Sequence, residues 1–104
     1  MIGRMRTYYL YKQILGCLDS IEIRFCYLDS CLGISLGDKV WIDHRANILE
    51  ILVHEVLHII YPDLNEMSVR KKTNWFIQKS TWFQKRELLK IVLEEGGCQL
   101  KRKN

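Results

Sequence analysis

The apolar positions of this chain follow two periods, which change in blocks along its length. Residues 4–18, RMRTYYLYKQILGCL, set Tyr8, Tyr11, Ile14, Leu15 and Leu18 at helical spacing, with Gly16 near the end, and predict an N-terminal helix. Residues 21–28 then alternate Ile21, Ile23, Phe25 and Tyr27 against Glu22, Arg24 and Cys26, the pattern of a half-buried strand. Ile34 and Leu36 alternate before Gly37-Asp38, and Val40 and Ile42 after it, so a hairpin turn is expected there. Helical spacing returns in residues 45–60 through Ile48, Leu52, Val56 and Ile59 or Ile60. Asp43 is the expected cap, and Tyr61-Pro62 the stop, because proline disfavours helical geometry in the residue before it. A further helix is capped near Asp63 or Asn65 and runs to a junction at Ser80-Thr81. A last helix, Gln84 to Glu95, is expected to stop at Gly96-Gly97 before a basic tail. The order predicts an α+β fold: an N-terminal helix, a small three-stranded antiparallel sheet, then three helices and a tail. Trp75, Phe76, Trp82 and Phe83 are expected in the core of the C-terminal helices.

A chain of 104 residues is long enough for one domain with one modest core, so residues 1–104 are read as a single unit. With 48% apolar and 27% charged residues it has the composition of a folded globular domain. A core this small gains from extra fastening, which a metal site would supply. The net charge of +4 is unevenly spread. Residues 1–66 hold six Lys/Arg against nine Asp/Glu, and residues 67–104 hold ten against three. A solvated basic face accounts for this more simply than a nucleic-acid or anionic-membrane patch, since no basic run interleaved with aromatics accompanies it. Cys17, Cys26, Cys31 and Cys98 form no C-x-x-C pair, so a cysteine zinc site is not indicated. The start, MIGRMRTYYL, lacks the apolar stretch of a signal peptide, and no run of about 18 apolar residues suggests a membrane span. A cytoplasmic protein with free thiols is expected.

The chemistry is concentrated in His54-Glu55-Val56-Leu57-His58, an H-E-x-x-H motif on the expected third-block helix. Residues four apart share a helix face, so both imidazoles can reach one metal ion at about 2.0–2.1 Å. Glu55, one residue on from His54, is placed to act on a water rather than on the metal. The expected cofactor is zinc, which acts as a Lewis acid and lowers the pKa of its water. Glu55 would take a proton from that water as it attacks a scissile carbonyl and then pass it to the leaving amine.

A catalytic zinc needs a third protein ligand and an open position. Glu66 is the first candidate, eight residues past His58 and in the first turn of the next helix; the plainer role for it there is to favour the helix dipole. Asp63 is nearer but sits in the turn, where capping suits it better. His44 stands ten residues before His54, about 15 Å along a helix axis, too far to share the ion. Cys98 could close the site from the tail, although a lone cysteine there is more simply a free thiol. Gly33 and Gly37 leave room near a cleft, and the Ile34 to Ile42 hairpin could pair with an extended peptide. Asn74 and Arg70 are candidate oxyanion donors; the substrate-binding residues are otherwise open.

Along HEVLHIIYPDLNE, and in the order helix, small sheet, H-E-x-x-H helix and glutamate helix, the chain resembles the minigluzincins. These are minimal soluble gluzincin-like proteins related to the catalytic cores of integral-membrane zinc peptidases. The resemblance implies a zinc endopeptidase with His54, His58 and Glu66 as ligands and Glu55 as general base. The step from His58 to Glu66 is shorter than the usual gluzincin spacing to the third ligand. The resemblance further implies latency. A C-terminal segment, here residues 96–104, would block the cleft, or the Gln84–Glu95 helix would be exchanged between two chains about a Gly96-Gly97 hinge to form a homodimer.

Two other functions compete with a peptidase acting on a peptide or protein substrate. The Lys/Arg excess after Glu66 motivates a basic zinc protein associated with nucleic acid. The brevity of the chain, which leaves little wall for a deep cleft, motivates a non-enzymatic, zinc-stabilised regulatory module.

Overall fold

The computed structural model describes residues 2–28, 31–43, 45 and 47–102, with side chains from Arg6 to Glu94. Its elements are α1 (Ile2–Leu18), β1 (Glu22–Cys26), β2 (Gly33–Leu36), β3 (Lys39–Asp43), α2 (Ile48–Ile60), α3 (Glu66–Lys79) and α4 (Trp82–Arg102). The α+β order predicted from the apolar periods is the one observed.

Helix α2 is the centre of the packing, touching the other three helices and strands β2 and β3. Leu52, Val53, Val56 and Leu57 are fully buried on it, each worth about 1.5–3 kcal/mol for leaving water. They meet Ile14 of α1, Ile23 of β1, Val40 and Ile42 of β3, Val69 and Phe76 of α3, and Leu88 and Val92 of α4 in one core. On α1 the buried positions are Leu10, Tyr11, Ile14 and Leu18, whereas Tyr8, one position off that stripe, is half exposed.

The sheet is mixed rather than antiparallel throughout. Its order is β1-β3-β2, with β1 parallel to β3 and β2 antiparallel to it. The expected two-residue hairpin is present, with Leu36 paired to Lys39 and Gly37 at φ 61, as a turn with glycine first requires. The six residues between β1 and β2 are too long for a tight turn, so β1 and β2 stand apart and β3 inserts between them. The strand with both neighbours is also the most buried, at Val40, Ile42 and Asp43.

Register sets the phase of β2. Gly33 pairs with Ile42 and Ser35 with Val40, so Gly33 and Ser35 share the core side of the sheet. Ile34 and Leu36 fall opposite Trp41 and Lys39 on the other side, and Leu36 is 65% exposed. The reason is crowding by α2. A Cβ on Gly33 would clash with Ile51 Cγ2 and stand 3.2 Å from Glu55 Oε2, so only glycine lets the strand approach this closely.

Three helix boundaries also differ from expectation. Asn47, not Asp43, caps α2, accepting from the Glu50 amide at 3.2 Å. Helix α4 begins at Trp82 because Thr81 and Gln84 form a capping box: Gln84 N–H donates to Thr81 Oγ1 at 3.1 Å, and Thr81 N–H to Gln84 Oε1 at 3.0 Å. It then runs through Gly96-Gly97 to Arg102, because glycine in a helix costs only about 1 kcal/mol and permits a stop without compelling one. Phe76 is buried and Trp75 half-buried, but Trp82 and Phe83 are 74% and 59% exposed, being in the first turn of α4 before its buried positions begin.

Asp43, displaced from capping, braces the β1–β2 connection. Its fully buried carboxylate accepts from the Leu28 amide at 3.0 Å, from the Arg45 amide at 2.9 Å, and from the Arg45 guanidinium at 2.7 and 2.9 Å. Its own amide donates to the Leu32 carbonyl at 2.9 Å. The Arg45 hydrogen bond, with those from the two amides, outweighs burial and holds this carboxyl well below the usual carboxylate range.

Candidate metal centre

Three elements converge on the motif. Helix α2 carries Ile51, His54, Glu55 and His58 at steps of three and four, which makes them one stripe beside its buried one. The Tyr61 amide closes that helix on Leu57 O at 2.8 Å, and the Leu64 amide turns back to Tyr61 O at 3.1 Å. Asn65 then caps α3, accepting from the Ser68 amide at 2.8 Å. That cap makes Glu66 the first residue of α3, at the point where the chain has just reversed.

The reversal brings Glu66 onto both histidines. His58 Nε2 lies 2.9 Å from Glu66 Oε1, and His54 Nε2 lies 3.1 Å from Glu66 Oε2. The two Nε2 atoms are 3.3 Å apart. Two nitrogens bound at about 2.0–2.1 Å to one tetrahedral zinc stand about 3.3 Å apart, so this spacing fits a shared ion. One donor atom from each of His54, His58 and Glu66 falls within 4.8 Å of the other two. This His, His, carboxylate group can hold a metal ion. The histidines are largely buried, with 16% and 28% of their side chains exposed, and Glu66 is half exposed, so the group opens to solvent on one side.

Arg70, one turn along α3, donates from Nε to Glu66 Oε2 at 3.0 Å. Burial raises the Glu66 pKa, but the hydrogen bonds from His58 and Arg70 and the charges of both histidines outweigh it and leave the group lowered. Glu66 therefore stays ionised, the form a metal ligand needs.

The centre lies at one end of a cleft of about 560 Å³ between β2, α2 and α3. Glu55, 8% exposed, lines it beside Gly33, with Arg70 and Asn74 on the opposite wall. His54, His58 and Glu66 are thus brought together, and Glu55 lines the cleft that His54 and Glu66 border. Asp63 lies in the turn before Asn65 and is neither the cap of α3 nor part of the group. His44 and the side chain of Cys98 lie outside the described residues.

The cleft also includes residues not foreseen. Glu50 lies one turn before His54, and the same i, i+4 rule that pairs His54 with His58 would have found it. Cys31 and Leu32 come from the β1–β2 connection, where no periodicity marks the inward residues. Among the described residues no helix is long and apolar enough to cross a membrane. Comparison with family models, with curated proteins and with solved structures finds no match to this chain.

Proposed function

We propose that this chain is a zinc metallopeptidase of the minigluzincin kind, an endopeptidase acting on peptide or protein substrates in the cytoplasm. The observation that carries the proposal is convergence: His54, His58 and Glu66 present donor atoms to one point, and Glu55 lines the same cleft. Zinc bound by His54, His58 and Glu66 would supply Lewis acidity at the scissile carbonyl and a water of near-neutral pKa.

The remaining chemistry belongs to the chain. Glu55 accepts the proton of the attacking water and delivers it to the leaving amine. Its carboxylate lies close against Gly33 of β2, in the cleft that His54 and Glu66 also line. Arg70 keeps Glu66 ionised and oriented, and Arg70 and Asn74 line the wall from which a donor could meet the developing oxyanion. Among the described residues strand β2 is paired with β3 on one side only, so its outer edge can pair with an extended peptide. The proposed latency element is the C-terminal segment, with residues 96–104 covering the cleft or the Gln84–Glu95 helix exchanged between two chains.

The test is zinc content by elemental analysis, with hydrolysis of a quenched-fluorescence peptide library by the full chain and by a chain ending at Glu95. About one zinc per chain, with hydrolysis in either form that Glu55→Gln abolishes, is expected. Hydrolysis that survives Glu55→Gln, or a zinc-replete preparation that holds no zinc, would overturn the proposal.

A further inference from the structure

Helix α3 has a second working side. Glu66, Arg70, Thr73 and Asn74 border the metal cleft, whereas Ser68, Lys71, Lys72 and Trp75, also at steps of three and four, border a separate groove. The facing wall is α1, through Arg6, Tyr9, Leu10 and Gln13 at the same steps, and Tyr61 and Leu64 of the intervening turn complete the lining. The groove measures about 630 Å³ and shares no lining residue with the metal cleft.

Its chemistry is one-sided. Arg6, Lys71 and Lys72 line it, and no carboxylate does so among the described residues. Three aromatic rings line it with these cations: Tyr9, 64% exposed, and the half-buried Tyr61 and Trp75. Tyr61 is held in place, its hydroxyl donating to Gln13 Oε1 at 2.8 Å and its ring carrying Lys72 Nζ at 5.3 Å. Helix α1 contributes Arg6 and Tyr9 and α3 contributes Lys71, Lys72 and Trp75; packing the two together makes one surface of them.

We propose that this groove binds single-stranded nucleic acid. Cations in a trough meet phosphates, and exposed rings stack on unpaired bases, the two contacts that single strands offer together. Duplex DNA keeps its bases stacked internally and would leave the rings unused. An acidic peptide would satisfy Arg6, Lys71 and Lys72 but has no planar groups for Tyr9 and Trp75. The high exposure of Tyr9 suits a polymer lying along an open trough better than a free nucleotide, which needs enclosure on most sides.

The test is fluorescence anisotropy of a labelled oligothymidylate of about 12 nucleotides with the full chain. Three phosphate contacts predict that log affinity falls against log salt with a slope of about −2. The charge reversal Lys71→Glu with Lys72→Glu should weaken binding at least about tenfold, and Tyr9→Ala about fivefold or more. Lys85→Glu with Arg86→Glu, on α4 and outside the groove, should leave it unchanged, as should Glu55→Gln or removal of metal. That last arm separates this proposal from the peptidase reading. Tyr9 and Arg6 are exposed, so Tyr9→Ala and Arg6→Ala keep the test decisive if the lysine pair unfolds the chain. The proposal is overturned by absence of binding at low salt, by equal loss on reversing the α4 charges, by a duplex binding as tightly, or by polyglutamate competing as well as the oligonucleotide.

Discussion

The two hollows on either side of α3 are similar in size and opposite in construction. The metal cleft draws its chemistry from a short stretch, His54 to Glu66, in which a helix, a turn and a helix start impose the geometry. Its histidines are largely buried, and both meet the half-exposed Glu66 within hydrogen-bond distance. The groove draws on residues from Arg6 to Trp75, and its members are mostly exposed or half-buried. The contrast teaches that ligating one small ion needs atoms held to fractions of an ångström, which local structure can supply. A surface for a polymer needs only charge and rings in rough register, which distant helices can bring together.

The sharpest way to separate the two is Glu55→Gln. Hydrolysis should fall about 100- to 10,000-fold while zinc content, measured by elemental analysis, stays at the wild-type value. The change removes a base without touching a ligand. Zinc removal comes next. If zinc binds only the folded state, a concentration 100 times its Kd adds about 2.7 kcal/mol, read as a chelator-reversible rise in Tm. Glu66→Ala should lose that rise together with the bound zinc. A chelator that leaves Tm untouched would break the assignment of this cleft as the metal centre.

Gly33→Ala probes the cleft wall. The added methyl meets Ile51 and the Glu55 carboxylate, and overpacking of this kind costs about 1–3 kcal/mol in denaturant unfolding. Activity should fall further than stability explains, because Glu55 is one of the atoms displaced. Asn65→Ala is smaller, about 1 kcal/mol, from the lost cap of α3. Both hollows share α3, so this variant alone should weaken metal affinity and oligonucleotide binding together. An effect on one only would show that the two sides of the helix move independently.

The last prediction concerns the acid limb of stability. Asp43 has a folded-state pKa held below its unfolded value of about 3.9, so its contribution is complete above that value and is lost as pH falls below it. Stability measured by urea unfolding should therefore drop between about pH 5 and pH 2, and Asp43→Asn should flatten that acid limb. An unchanged limb in the variant would remove Asp43 from the brace behind Leu32 and the cleft.

Much of this molecule was legible before its structure. The two periods placed all seven elements, because burial on one helix face or one strand face leaves a repeat in the sequence. The phase of β2 was not legible, since it is Gly33 and Ser35 rather than Ile34 and Leu36 that take the inward face. Apolar character marks burial only where there is room for a side chain, and the approach of α2 leaves none at Gly33. The parallel pairing of β1 with β3 was equally hidden, since a strand records which face is buried but not which neighbour it has.

The H-E-x-x-H spacing by itself determined that His54 and His58 would share a face, because helical geometry is local and four residues are one turn. Pro62 and Asn65 determined, almost as locally, that the chain would turn and restart at Glu66. Only the tertiary structure decided that Glu66 would reach both imidazoles, that Arg70 would bind Glu66, and that Arg6 and Tyr9 would face Lys71 and Trp75. Those contacts depend on how the helices cross, and crossing is set by the packing of the whole core around α2 rather than by any one segment.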